Sequence, residues 1–363
     1  MEKKVHWHSQ FGIIEIVEQT YRKNNKLWRP FIESAQVSPR ACSLPLQRIL
    51  TDFGADLAFG QVFAKLQEHY GIEMPTSTIR KITEFHAEKM QIAQQEKDEV
   101  LDEAESNETD LKTSCCGTVV GQADGSMLPV VKTDESSRDK RKGKTVSWKE
   151  ARLSLAHPKG SVSPQFRAVF NASVDEAGDS LRYCAMAVGF GENTHLHAVG
   201  DGAPWIAEQI QDKFGTQASY LIDFYHVCQY LAEAAKICSP HDTKIWMETQ
   251  KRLLKNNEYQ TVLFNLQTCF QSDKVQGDKE VVRKCHQYLS KRINYLDYKG
   301  ALEKGLPIGS GEIESAHRYV IQKRLKLSGA WWTVENIKQM LALRVLRANG
   351  EWNNYWENLS KAA

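Results

Sequence analysis

No Cys-x-x-Cys pair occurs in the chain, although eight cysteines are present among its 363 residues. That absence argues against zinc-ribbon and dithiol redox motifs. The thiols of Cys42, Cys115, Cys116, Cys184, Cys228, Cys238, Cys269 and Cys285 are expected to be free, in a reducing cytoplasm. No apolar run approaches the ~20 residues that span a bilayer, and no apolar signal segment opens the chain. Neither a membrane partner nor export is therefore expected. Internal repeats and low-complexity tracts are also missing. Charge of one sign does not dominate, because 47 Lys and Arg stand against 45 Asp and Glu. The total says nothing about partners, so the distribution has to be read instead.

Residues 1–40 suggest a β-hairpin. Gly12 to Val17 forms one apolar strand, Leu27 to Phe31 the other, and Arg22 to Lys26 the turn between them. From Leu44 the apolar period becomes helical, through Leu46, Ile49, Leu50, Phe53 and Leu57 and on to Tyr70. Gly71 to Pro75 breaks it, and Thr76-Ser77-Thr78 can cap a new helix carrying Arg80 and Lys81. Over 41–95 this is the outline of a helix-turn-helix-like DNA-binding domain, with a plain helical bundle as the alternative. Glu96 to Asp110 holds eight acidic residues against one lysine, and 96–115 is read as an acidic linker or exposed helix end.

Beyond Cys116 strands alternate with helices, which predicts an α/β fold with helices covering a sheet. Thr118 to Asp124 is an apolar run ending in a carboxylate, with Met127 to Val131 as a second strand after Gly125. Lys149 to Ala156 and Phe166 to Asn171 follow. Leu196 to Asp201 is another strand ending in Asp, then come a helix from Ala203 to Phe214 and a strand from Ala218 to Asp223. From 226 to about 305 the pattern is helical, and 306–363 completes the fold.

Asp124 and Asp201 are each followed by glycine. Two such aspartates at neighbouring strand ends can share a divalent metal, and a third carboxylate completes a two-metal site for phosphoryl transfer. Oxygen-only ligands suit Mg²⁺ or Mn²⁺, two per active site. The third acid is Glu312 or Glu314. Residues two apart on a helix differ by about 200°, so the two cannot face the same way. Glu314 shares its stripe with Arg318, Ile321 and Leu325, the side expected to meet the sheet. Glu312 shares a more polar stripe with Ala316, Tyr319 and Lys323, which favours Glu314. A lone Asp-Gly, by contrast, is commonly just a solvated turn.

Four blocks carry a resemblance: Gly121-Gln122-Ala123-Asp124-Gly125, Gly200-Asp201-Gly202-Ala203-Pro204-Trp205-Ile206, Asp223-Phe224-Tyr225-His226-Val227, and Gly309-Ser310-Gly311-Glu312-Ile313-Glu314-Ser315. Together they resemble bacterial insertion-sequence transposases of the ISKra type and, more distantly, Mutator-like and hAT-like DDE enzymes. The resemblance implies a ribonuclease-H-like catalytic core, 116–225 and 306–363, interrupted by an all-helical insertion at 226–305. It implies Asp124, Asp201 and Glu314 as catalytic metal ligands. It adds His226 as a residue near the scissile phosphate, with a structural imidazole at a strand end as the alternative.

The implied activity is DNA transposition, with element ends and target DNA as partners, a homo-oligomer in the DNA complex, and a nucleoid-associated location. A domesticated, non-catalytic DNA-binding protein and a ribonuclease-H-like nuclease are the alternatives. Arg141 and Lys142 in the basic loop, and Arg318, Arg324 and Lys326 after Glu314, are expected to neutralise phosphates together with Arg80 and Lys81. Trp205, Trp331 and Trp332 are expected to pack rather than to stack on bases.

Overall fold

Continuous buried runs in its inner strands build the central sheet, seen in a computed structural model that describes residues 1–23, 26–34, 41–106, 117–134, 136–137, 139, 142–272 and 278–361. Before that sheet, β1 (Glu2–Ser9) pairs antiparallel with β2 (Gly12–Gln19), and β3 (Tyr21–Lys23) with β4 (Lys26–Trp28). The expected hairpin between Gly12 and Phe31 is thus replaced by two shorter ones. The strand at Gly12 turns back on Glu2–Ser9 through a two-residue connection, matching Val5 to Ile16 and Trp7 to Ile14. The nearer partner closes the smaller loop.

A short helix α1 (Pro30–Ser34) precedes α2 (Leu44–Asp56), α3 (Phe59–Tyr70) and α4 (Thr76–Ser106). Ser43 caps α2, and Gly71, at φ +62°, ends α3. The expected break at Gly71 to Pro75 is present, with a further break at Leu57–Ala58. The acidic stretch 96–106 is the far end of α4 rather than a linker, and 107–116 lie outside the described residues. That end of α4 is tied down. Asp98 pairs with Arg167, and Asp102 accepts from Arg182 and from the Tyr183 hydroxyl, both at 2.7 Å.

The sheet consists of β5 (Thr118–Thr133), β6 (Lys144–Pro158), β7 (Gln165–Phe170), β8 (His195–Gly200) and β9 (Ala218–Ile222), in spatial order β7-β6-β5-β8-β9. The first three are antiparallel, while β5–β8 and β8–β9 are parallel. The protein is therefore a mixed α/β structure with many helices. One face packs on α5 (Val174–Ala187) and α6 (Pro204–Phe214), continuous with α7 (Phe224–Cys238), α8 (Thr243–Lys255), α9 (Tyr259–Gln271), α10 (Lys279–Ser290) and α11 (Tyr298–Glu303). The other face packs on α12 (Gly311–Ala316), a π-helical stretch His317–Gln322, α13 (Lys323–Leu325) and α14 (Val334–Ala348). Helix α15 (Trp352–Lys361) closes the chain's helical order. Among the described residues, no helix is long and apolar enough to cross a membrane.

The expectation of free thiols needs correction. Cys238 at the end of α7 and Cys269 on α9 are paired as a disulfide, Cα–Cα 5.3 Å, because the two helices pack side by side. Cys42, Cys184, Cys228 and Cys285 remain thiols, and Cys115 and Cys116 lie outside the described residues.

The C-terminal end of α2 is an arginine-binding site. Its last carbonyls have no intrahelical donors and carry the negative end of the helix dipole. Arg347 donates to Asp52 O (3.0 Å), Arg324 to Gly54 O (2.9 Å) and Arg344 to Ala55 O (2.8 Å). Arg344 also pairs with Asp56 and donates to the carbonyls of Tyr319 and Val320. Burial pushes the Asp56 carboxyl up, but Arg344, Arg347 and Lys323 outweigh this and hold it below the ordinary range. Replacing Arg344 by Leu leaves Asp56 and three carbonyls without that donor. The expected loss is about 3–5 kcal/mol of stability, read as a lower urea midpoint.

Buried His86 bridges Tyr355 (2.8 Å) and Gln47 (2.9 Å), and burial pushes its pKa down from 6.5 to about 3. The unfolded chain therefore binds the proton more readily, so this contribution is present above pH ~6.5 and is lost as pH falls toward ~3. In thermal melts, His86→Gln is expected to shrink the stability lost on acidification from about pH 6.5 to about 4.5 by roughly 1–2 kcal/mol.

Candidate active site

Register places the two aspartates together. Parallel strands β5 and β8 set Val120 opposite His197 and Gln122 opposite Val199, and the ladder stops there. Two residues further on stand Asp124, still in β5, and Asp201, in the turn that follows β8, near enough for its charge to act on Asp124. Asp124 does not end its strand, as the sequence suggested. The β5 strand continues to Thr133 because β6 keeps pairing with it, Asp124 lying opposite Leu153. Burial pushes the Asp124 carboxyl up, His317 and the Gly125 N–H (2.7 Å) oppose this, and Asp201 and Glu150 add repulsion. Asp124 thus senses the charge of Asp201.

Asp201 is fixed by the helices that follow. Its Oδ1 accepts from Ala203 N (2.8 Å), and its carbonyl accepts from the Tyr288 hydroxyl (2.6 Å). Arg292 Nε donates to Gly202 O (2.9 Å), and Gly202 N donates to the Tyr220 hydroxyl (3.0 Å). Gly202 has φ +86°, and a Cβ there would lie 2.6 Å from Tyr288 Oη. Glycine at this position makes room for Tyr288, not for a phosphate. A Cβ on Gly125 would likewise meet Glu150 Oε1 at 2.3 Å.

Helix α12 crosses the face that bears Asp124. Buried Asp223 caps α7 through Tyr225 N (2.6 Å) and His226 N (3.0 Å), while its other oxygen accepts from Ser310 N (2.7 Å) and Ser310 Oγ. Ile313 N donates to Gln122 Oε1 (3.0 Å). His317 Nε2 lies 3.1 Å from Asp124 O and 3.5 Å from its carboxylate. Burial pushes the His317 imidazole down, the Asp124 charge and carbonyl pull it up, and Lys326 pushes it down again. Glu312 reaches His157 on β6 (2.9 Å); their hydrogen bond pulls the His157 pKa up and the Glu312 pKa down.

Glu312 is thus engaged by β6, while Glu314, about 200° away on the helix, faces elsewhere and is exposed. The reason given in the sequence for Glu314 is corrected. The buried stripe is Ile313, Ala316, His317, Val320 and Ile321, while Glu314 and Arg318 are exposed. The π-helical turns after Ala316 shift the helix phase, which separates Glu314 from Ile321 and Leu325. Among the described residues, no three His, Cys, Asp or Glu side chains stand close enough to hold a metal ion.

His226 is half-buried in an aromatic cluster, its ring 5.4 Å from Tyr230 and 6.0 Å from Tyr288. The capping role suggested for its imidazole belongs to Asp223. Of the basic candidates, Lys81, Lys142, Arg318 and Lys326 are exposed, and Arg80 pairs loosely with Glu84 (3.7 Å). Arg141 lies outside the described residues. Arg324 is corrected: it is 2% exposed, sandwiched between Phe59 and Trp332, and bonded to Gly54. Burial lowers its pKa to about 10. Trp332 packs as expected, Trp205 lies under Arg152, and Trp331 is exposed with Lys144 over its ring.

Sequence reading missed His317, Gln122, His157, Tyr288 and Arg292, and quoted Asp223 and Ser310 without giving them a role. Buried polar residues inside apolar runs, such as Gln122 and Asp223, were the available signal.

Residues 190–358, less than half of the chain, match an uncharacterised protein family, UPF0236. Two UPF0236 proteins of Caldanaerobacter subterraneus subsp. tengcongensis are each 27% identical over 156 residues. The aligned part is 43% of this chain and 31% or 30% of the relatives, so the chain spans about a third of their length. These findings correct the resemblance to ISKra-type transposases: the family that matches is one without an assigned activity, and neither it nor these relatives carries a transposase name. The matched region contains Asp201, His226 and Glu314, and stops short of Asp124.

Substituting Asp223 by Asn sets an amide against four donors. The expected loss is about 2–4 kcal/mol in urea unfolding, with faster amide exchange over 310–316 than elsewhere in the sheet.

Proposed function

We propose that the chain is a DNA transposase that cuts the phosphodiester at an element end and joins the freed 3′-hydroxyl to target DNA. The observation that carries this reading is the register that brings Asp201 near Asp124, next to the helix that bears Glu314. A ribonuclease-H-like core is supported by the five-stranded mixed sheet. An all-helical insertion is supported by α7 to α11, which separate β9 from α12.

The donor set fits Mg²⁺ or Mn²⁺. Asp124 and Asp201 are hard oxygen ligands close enough to repel one another, and a cation relieves that repulsion. Such ions, two per site, supply Lewis acidity and charge neutralisation at the phosphate. Asp124 and Asp201 would hold them, with Glu314 as the third acid.

The remaining groups hold these three in place. His317 fixes Asp124 through its carbonyl, Tyr288 and Arg292 fix the Asp201 turn, and Asp223 fixes the start of α12. His157 holds Glu312 on the far flank, so that Glu314 is the acid left to complete the set. His226 stands beside Tyr288 at the mouth of the site. Water attacks the phosphodiester and the 3′-oxygen leaves with a proton; that hydroxyl then attacks a target phosphodiester, giving up its proton as the target's own 3′-oxygen leaves and takes one up. Arg318 and Lys326 line the approach for DNA, with Arg80, Lys81 and Lys142 further out, and two ends are handled by a homo-oligomer.

The test is cleavage of labelled duplex carrying the DNA ends that flank the gene, with Mn²⁺ or Mg²⁺. Asp124→Asn, Asp201→Asn and Glu314→Gln should each lower cleavage by about 100-fold or more while duplex binding persists. Glu312→Gln should stay within about tenfold of wild type. Cleavage by Asp124→Asn at the wild-type rate would sink the mechanism. Binding without any cleavage by the wild type would favour a non-catalytic DNA-binding protein.

A further inference from the structure

Strand β7 forms one edge of the sheet. In an antiparallel pair the main-chain groups of alternate residues point to the partner, and those of the others point away. Asn171 N donates to Glu150 O on β6 (2.9 Å), so Arg167 and Val169 also bond inward, while the main-chain groups of Phe166, Ala168 and Phe170 face away from β6. The protein fills the first of these outward slots itself. Asn349 Oδ1 accepts from Phe166 N (2.8 Å), and Asn349 Nδ2 donates to Phe166 O (3.1 Å). A planar carboxamide thus stands where a further strand would lie. About 7 Å along β7, the Ala168 N–H and C=O and the Phe170 N–H have no partner among the described residues.

These open groups floor a cavity of about 310 Å³ between β7, α4, α5 and α14, a size that suits a small molecule. A partner bonded to a strand edge lies near the plane of the sheet. Here it would be covered by Ser180 and Tyr183 of α5 on one face, and by Leu341 and Val345 of α14 on the other. A flat group fits that slot. Charge around it is already matched: Arg167 pairs with Asp98, Lys213 with Asp179 (3.0 Å), and Lys338 acts on Glu176, which Ser173 also holds. The occupant is therefore neutral. Across from the strand edge, α4 presents Gln91, Gln94 and Gln95. Gln94 donates to Asp98 (3.2 Å), while the carboxamides of Gln91 and Gln95 have no partner among the described residues. Each of those two offers a donor beside an acceptor.

We infer that this cavity binds a nucleobase, one edge of which pairs with the Ala168 N–H and C=O while another meets the α4 glutamines. A simple carboxamide satisfies the Ala168 slot, as Asn349 does at Phe166, but leaves the glutamines unmet. A nucleobase is flat and neutral, carries acceptors and donors side by side on more than one edge, and is the kind of group that Gln carboxamides read. The site lies two strands away from β5 and does not depend on the carboxylates.

The chain is titrated by calorimetry with adenosine, guanosine, cytidine and uridine, and with L-glutamine as the simple carboxamide. At least one nucleoside is expected to bind with a Kd below about 1 mM and to slow amide exchange over 165–170. Proline is tolerated where an edge strand turns its N–H outward, so Ala168→Pro removes the donor without touching the β6 ladder. Ala168→Pro and the double variant Gln91→Leu with Gln95→Leu should each weaken nucleoside binding by about 5- to 50-fold. The double variant lies on the surface of α4 and should keep the wild-type urea midpoint, which separates lost binding from lost folding. Binding of no nucleoside overturns the inference, and so does binding of L-glutamine without any nucleoside. Nucleoside affinity equal to wild type in both variants overturns it as well. Displacement of the nucleoside by a single-stranded 20-mer assigns the base to a nucleic acid, and failure to displace assigns it to a free nucleoside; the base site stands in either case.

Discussion

The parallel ladder between β5 and β8 ends at Gln122 and Val199, while the antiparallel ladder between β5 and β6 runs on to Thr133 and Lys144. This mismatch in length organises the site. Where β8 stops, the chain turns at Asp201-Gly202, and at Asp124 it is His317, not a neighbouring strand, that takes the β5 carbonyl. Asp124 therefore needs no strand end of its own to be accessible, because its neighbour has ended instead. Beyond Asp124, β5 and β6 continue as a pair, tied to the C-terminal layer by the Val131 N–H to Trp332 O bond.

Two half-buried carboxylates near one another repel, and the surrounding contacts are built to withstand that. Asp201 is held through its backbone carbonyl and that of Gly202, by Tyr288 and Arg292, rather than through the carboxylate alone. Asp124 is held through its carbonyl by His317. Hydrogen bonds to main-chain atoms fix a side chain's origin while leaving carboxylate lone pairs for another ligand. In this arrangement the helices between β9 and α12 do more than fill space, since α10 supplies Tyr288 and the turn after it supplies Arg292, the cation that grips Gly202.

Much of this was legible in the sequence, and what was not has physical causes. Strands ending at Asp201 and Asp223 were readable because apolar runs of five or six residues stop abruptly in a carboxylate. Helices α3 and α4 were readable from their period and from Gly71. The unbroken passage of β5 through Asp124-Gly125 was not, because a glycine inside a strand reads locally as a turn, and only the length of β6 overrides it. Glu314 was chosen over Glu312 on a stripe that the π-helical turns invalidate. Nor could the sequence show that Glu312 is engaged by His157, a bond that joins residues 155 positions apart. Arg324 looked like a phosphate contact because nothing local marks a buried arginine. Its partners, Gly54 and Phe59, come from the opposite end of the chain.

That last case ties the N-terminal helices to the site. The C-terminal end of α2 gathers Arg324, Arg344 and Arg347, the first two on the carbonyls of Gly54 and Ala55, which no helical N–H satisfies. Arg324 lies in α13, and Arg344 also takes the carbonyls of Tyr319 and Val320. In a π-helical stretch the carbonyls are displaced from the usual ladder, so they are open to such a donor. The wide turn that re-phases the Glu314 helix is thus held by the arginine that also holds α2. The face of the sheet bearing Asp124, the helix bearing Glu314 and the helices bearing Arg80 and Lys81 are consequently packed as one connected body. A nucleic acid touching α4 and a carboxylate on α12 would then be linked through packed side chains and charge-assisted hydrogen bonds rather than across a flexible acidic linker.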